Sequence, residues 1–215
     1  MTRLIIVRHG ESEGNAKHEF HGNYNSDITE KGHAQAECTA KFLDNYQIDA
    51  IYSSDIRRAY STALHTAQRK GLEIIKSEGM REIVAGKWEK MTFESIQEQY
   101  PDDFKIWHED IAMCRCPGGE SVAELASRVR ATLEKIAFDN DGKTVMIATH
   151  ATPIRSMYCV WNNLPLTEMK NIHWAPNASV TIVDYDNKGG YELIAYALHD
   201  HLADEGLVTR LPKNI

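Results

Sequence analysis

Leu4-Ile5-Ile6-Val7 is an unbroken apolar run, as expected of a strand buried on both faces. Residues 29–43 have helical composition, with Thr29 placed to cap them. A short strand is predicted at 50–53. Ser54 is then placed to cap a helix through Arg57, Ala59, Ala63 and Ala67 that ends near Gly71. Residues 72–75 read as another short strand. Ser121-Val122-Ala123-Glu124 is a capping box. Beyond it Val122, Leu125, Ala126, Val129, Leu133 and Ile136 recur at helical spacing, the clearest amphipathic helix in the chain. A further apolar strand is predicted at 144–149 and a helix at 153–160. Two strand-like runs, 179–185 and 191–198, flank Asp186-Asn187-Lys188-Gly189-Gly190, which suits a hairpin turn. Strands alternating with helices and closing on a hairpin predict an α/β three-layer sandwich: a mostly parallel central sheet, helices on both faces and a C-terminal hairpin.

Composition narrows what such a domain does. With 215 residues, 42% of them hydrophobic, the chain 1–215 is expected to form one domain around a full core. A net charge of -7 argues against non-specific nucleic-acid binding and against docking on anionic membranes. It also argues against anionic substrates unless Arg and Lys are concentrated locally. No apolar stretch is long enough to span a bilayer, and the start does not read as an export signal, so the expected location is cytoplasmic. Cys38, Cys114, Cys116 and Cys159 are too few and scattered for a disulfide scaffold. The Cys114-x-Cys116 pair lacks the second ligand pair that zinc requires. No metal and no cofactor are expected.

Two histidines directly follow predicted buried strands: His9 after Leu4–Val7, and His150 after the strand at 144–149. Ligands of an α/β sheet lie beyond the carboxyl ends of its strands, so two parallel neighbouring strands would turn both imidazoles into one crevice. A neutral imidazole nitrogen is a competent nucleophile near neutral pH. Gly10 permits close backbone approach. Arg8 supplies planar donors suited to phosphate oxygens, and Arg58 supplies a second set from the start of a helix. Two arginines and two histidines would make a basic island in an acidic chain.

Five segments, in order, then carry a resemblance. They are Arg8-His9-Gly10-Glu11-Ser12 with Asn15; Thr29 to Ala36, with Gly32 and Gln35; Ser54 to Ala59 with Thr62; Glu82 followed by Gly86, Trp88 and Glu89; and Pro117-Gly118-Gly119-Glu120-Ser121. With His150 they make residues 4 to about 155 similar to the histidine phosphatase superfamily, the phosphoglycerate-mutase-like proteins. The resemblance implies that His9 becomes phosphohistidine. It implies that Arg8, Arg58 and His150 bind the phosphoryl oxygens, with Asn15, Gly22 and the N–H of Ala151 also in the substrate site. Glu82 would be the general acid. Arg57 is expected to be a solvated neighbour. The chain departs from the pattern at Ala151-Thr152, where Gly-Gly is usual, and at Lys90, where Gly is usual. Thr152 is open to two roles, a hydroxyl donor to phosphate or the cap of the next helix.

The implied activity is metal-independent hydrolysis of a small organic phosphate. The alternatives are a cofactor-dependent phosphoglycerate mutase and a weakly active binding or regulatory protein on the same fold. The mutases resembling this family carry a longer insertion than the compact interval here. Residues 88–116 are therefore expected to form a small lid, carrying Trp107, His108 and Met113, that sets leaving-group specificity. No feature sets an oligomeric state; a homodimer is the one assembly considered.

Overall fold

The computed structural model describes residues 1–186 and 188–209. Along the chain run β1 (Thr2–Arg8), α1 (Glu13–Lys17), β2 (Glu19–Phe20), α2 (Glu30–Phe42), β3 (Ala50–Ser53), α3 (Arg57–Lys70), β4 (Ile74–Lys76) and β5 (Met91–Thr92). They are followed by α4 (Phe93–Gln99), α5 (Pro101–Glu109), α6 (Val122–Asp139), β6 (Thr144–Thr149), α7 (Ala151–Trp161), β7 (Val180–Tyr185), β8 (Tyr191–Leu198) and α8 (Asp200–Ala203). Six strands form the central sheet in the order β4-β3-β6-β1-β7-β8. The first four are mutually parallel, and β7 and β8 close the sheet antiparallel. The fold is the α/β architecture expected from the pattern, with the hairpin at its end.

The apolar run of β1 is unbroken because both faces of the strand are covered. Leu4 and Ile6 join Val145 and Ile147 under α6 and α7. Ile5 and Val7 join Met146 and Ala148 against Ala59, Ala63 and Ala67 of α3. The capping box at Ser121 forms as expected, with Glu124 returning to the Ser121 backbone, and the α6 stripe from Val122 to Ile136 is buried. Thr29 caps α2 through the Gly32 N–H, and Gly71 ends α3 in the left-handed region. Among the described residues no helix is long and apolar enough to cross a membrane.

Several local expectations need correction. Ser54 is not the N-cap of α3, which is Ile56 without a side-chain bond; the Ser54 hydroxyl accepts from the Ile56 N–H at 3.3 Å, just ahead of the helix, and also meets His150. The strand expected at 72–75 lies at Ile74–Lys76. The helix expected at 153–160 begins at Ala151, so Pro153 sits in its first turn, where the missing N–H costs nothing. In the turn after β7, Asp186 Oδ1 accepts from the Lys188 and Gly190 N–H groups, each at 2.8 Å. Asn187 of that turn lies outside the described residues. In the expected lid, Trp107 is buried, whereas His108 is exposed and Met113 is 69% exposed. Their side chains face away from the interior, so only part of that segment addresses the site.

Candidate active site

The pairing register of β1 with β6 puts Arg8 opposite Thr149. Each strand's next residue is therefore a histidine, and the His9 N–H donates to the Thr149 carbonyl at 2.9 Å. The two imidazoles lie side by side with centroids 5.2 Å apart. His9 Nδ1 lies 2.7 Å from the Gly10 carbonyl. A carbonyl only accepts, so Nδ1 carries the proton and the neutral ring keeps its lone pair on Nε2. His150 is fully buried, with Nε2 2.8 Å from Ser54 Oγ and Nδ1 without a hydrogen-bond partner among the described residues. Arg8, His9, Asn15, Gly22, Arg58, Glu82 and Ala151 all border one cavity of about 390 Å³; His150, fully buried beside His9, does not border it.

Both arginines are buried and held by backbone carbonyls. Arg8 donates to Ala175 O at 2.5 Å. Arg58 donates to Tyr24 O at 2.9 Å and Gly22 O at 2.6 Å. Neither guanidinium is ion-paired among the described residues, although Glu82 is near enough to favour their charged forms. Burial lowers each to about 10, and for Arg8 the like charge of Arg58 adds to it. Burying an unpaired ion costs several kcal/mol, and two close cations cost more. A pocket built this way is complementary to an anion that pairs with both.

The loop carrying Glu82 is fixed from behind. Arg128 of α6 donates to the carbonyls of Gly79 at 2.9 Å, Arg81 at 3.2 Å and Glu82 at 3.3 Å. Glu120, from the Pro-Gly-Gly-Glu-Ser segment, pairs with the same guanidinium at 2.8 Å. The Glu82 carboxylate accepts from the Ile83 N–H at 2.8 Å and from the Thr152 N–H at 3.3 Å. Thr152 therefore offers its backbone to Glu82 at the start of α7, and the N-cap position belongs to His150. Ala151 is an ordinary first-turn residue, so the absence of glycine there strains nothing. Lys90 does adopt a left-handed φ of 63°, a conformation in which glycine is at ease.

Two supporting residues, Asn177 and Ala178, carry no recognisable signal in the sequence, and others already singled out there act through contacts that the sequence does not show. The segment before β7 clamps the His9 strand end. Asn177 Nδ2 donates to His9 O and to Asn15 Oδ1, both at 3.0 Å, and the Ala178 N–H reaches His9 O at 3.2 Å. Asn15 Oδ1 also takes the Ser12 N–H, which leaves its amide NH2 as the group it presents to the cavity. Glu89 accepts from the Asn23 and Tyr24 N–H groups at 2.9 and 2.8 Å, shaping the loop whose carbonyls hold Arg58. Gly10 is required by packing: a Cβ there would lie 2.6 Å from the Gly32 carbonyl. Among the described residues no group of three or more His, Cys, Asp and Glu is arranged to hold a metal ion.

Burial, then Arg58 and neighbouring charges including Arg8, holds both imidazoles well below the usual 6.5. Below that value the unfolded chain binds more protons than the folded one. Stability is therefore expected to fall as pH drops through about 6.5, by up to about 1.4 kcal/mol per pH unit for each histidine. Urea denaturation at pH 7.5, 6.5 and 5.5 checks this. His9→Ala should flatten the profile, and a parent profile level between 6.5 and 5.5 would contradict the neutral, buried pair.

Two buried guanidinium groups, an imidazole with its lone pair on Nε2 and a carboxylate around one cavity make a site suited to an anionic group such as phosphate. The pattern of the histidine phosphatase superfamily (branch 1) matches residues 4–197, and the chain belongs to that family. It is 36% identical over 188 residues to phosphoserine phosphatase 1 of Hydrogenobacter thermophilus, covering 87% of this chain and 89% of that protein. It is 29% identical over 187 residues to glucosyl-3-phosphoglycerate phosphatase of Mycobacterium tuberculosis, covering 83% of each. Among solved structures, Bacillus stearothermophilus YhfR superposes with a TM-score of 0.90 at 27% identity, covering 94% of this chain and all (100%) of that one.

Proposed function

We propose that this phosphatase is a phosphomonoester hydrolase that needs no metal and passes the phosphoryl group through His9. In the first step His9 Nε2 attacks phosphorus and the P–O bond to the alcohol breaks. Glu82, in its acid form, gives its proton to the departing oxygen. In the second step the Glu82 carboxylate takes a proton from water, the water oxygen bonds phosphorus, and the N–P bond breaks to return neutral His9. Arg8 and Arg58 neutralise the equatorial oxygens, a role metal ions fill in other phosphoryl-transfer sites. His150, Asn15 and the Ala151 N–H complete the phosphoryl site, Gly22 shapes its wall, and the segment 88–116 serves as lid of a single catalytic domain.

The observation that carries this reading is the pair of buried, unpaired guanidinium groups beside a neutral His9 whose tautomer is set by the Gly10 carbonyl. The phosphatase names of the relatives support hydrolysis over transfer to a second hydroxyl. The test is p-nitrophenyl phosphate turnover with and without EDTA, with rapid acid quench. Turnover unchanged by EDTA and an acid-labile, base-stable phosphoenzyme are expected. Loss of activity on chelation would overturn metal independence. Little release of inorganic phosphate, with 2- and 3-phosphoglycerate interconverting after priming by a bisphosphate, would make the protein a mutase. No turnover at all would favour a binding protein.

A further inference from the structure

Part of the cavity lining is aromatic. Phe20, Phe93, Trp107 and Trp174 all border it. They form one continuous band: Phe20 meets Trp107 edge-on at 4.9 Å and Phe93 at 5.8 Å, and Trp107 stacks near-parallel on Trp174 at 6.4 Å. Trp174 is itself held by the buried Arg155, whose guanidinium lies 4.1 Å from the ring centroid. That contact, beside the Ala175 carbonyl that anchors Arg8, fixes the band relative to the phosphoryl site.

Among the described residues, His18 on the cavity rim is exposed, and the other ionisable groups there beyond the phosphoryl site are paired. Lys31 pairs with Glu11 at 3.1 Å, and His21 meets Glu19 at 2.7 Å and Ser26 at 2.7 Å. Beyond Arg8, Arg58 and the exposed His18, these carboxylates would oppose a second anionic group on the substrate, which would first have to break one of the pairs. An apolar ring would lose nothing there and would exchange water for the faces and edges of four aromatic side chains.

Resting on the hydrolase reading above, we infer that this band is a leaving-group subsite for ring-bearing, uncharged alcohols, and that it discriminates against phosphate esters carrying a carboxylate or a second phosphate. Phosphoserine and phosphoglycerates are thereby placed among the poor substrates, in contrast to what the names of the two relatives say of those proteins.

The experiment compares 2-phenylethyl phosphate with ethyl phosphate, phosphoserine and 3-phosphoglycerate on the purified full chain. All four esters leave as alkoxides, so their ratio reports binding of the alcohol more than its acidity. The phenylethyl ester is expected to exceed each of the others by roughly tenfold to hundredfold in kcat/KM, largely through KM. Phe93→Ala, at a half-buried position, and Trp174→Ala should each shrink the phenylethyl-to-ethyl ratio severalfold. A parent enzyme that handles ethyl phosphate, phosphoserine or 3-phosphoglycerate as well as the phenylethyl ester would overturn the subsite and leave the hydrolase reading standing. A ratio unmoved by both substitutions would also overturn it. Failure to hydrolyse any ester, nitrophenyl phosphate included, would remove both.

Discussion

His9→Ala should lose at least about 10⁴-fold in kcat on every phosphate ester, the scale on which removal of a covalent nucleophile is felt. The loss should be independent of the leaving group, because the missing bond is the one every substrate must form. The variant should also yield no acid-labile phosphoenzyme on quench. Its fold is expected to survive: the His9 backbone is held by Thr149, Asn177 and Ala178, and the side chain's own hydrogen bond is to the adjacent carbonyl. Inorganic phosphate should still bind, since Arg8 and Arg58 are anchored without the imidazole. Phosphate binding by the variant, read by calorimetry, separates loss of chemistry from loss of the pocket. A variant that hydrolyses p-nitrophenyl phosphate like its parent would mean that another group attacks phosphorus.

Glu82→Gln should show the opposite dependence on leaving group. An alkoxide needs a proton as it departs, so alkyl esters should slow by about 10²- to 10⁴-fold, the usual contribution of a positioned general acid. Nitrophenolate leaves unaided, so formation of the phosphoenzyme from nitrophenyl phosphate should be nearly spared in single-turnover mixing. Any steady-state loss on that substrate would then report the second step, where Glu82 serves as base. Arg128→Lys should reproduce a weaker form of the same selectivity. Lysine retains the charge but cannot reach the carbonyls of Gly79, Arg81 and Glu82 as a planar fork, so Glu82 would be held less firmly. Equal losses on alkyl and nitrophenyl esters, for Glu82→Gln measured in a single turnover, would remove Glu82 from the acid role.

Much of the frame is legible along the chain because it is encoded locally. The two-face apolar run of β1, the capping box of α6 and its buried stripe each follow from contacts within a few residues or from a single burial period. The small elements between β1 and α2 escaped that reading. α1 has five residues and β2 two, too short for any period to register. Ser54 misled for a different reason. A serine before a helix is a cap by local rules, but α3 starts two residues later than that, so the Ser54 hydroxyl takes the N–H of Ile56, the N-cap itself, and a contact with His150, 96 positions on, that no local rule shows.

By itself the sequence determined the layered α/β class, the position of each histidine at the carboxyl end of a strand, and the supply of arginines and a glutamate nearby. Tertiary structure decided that Arg8 pairs in register with Thr149, which brings His9 beside His150. It also decided that Ala175, Gly22 and Tyr24 hold the guanidinium groups and that Arg128 braces the Glu82 loop. The physical reason is that most of these contacts end on backbone carbonyls. Every residue carries one, so side-chain identity does not mark which carbonyl the folded path will deliver to an arginine.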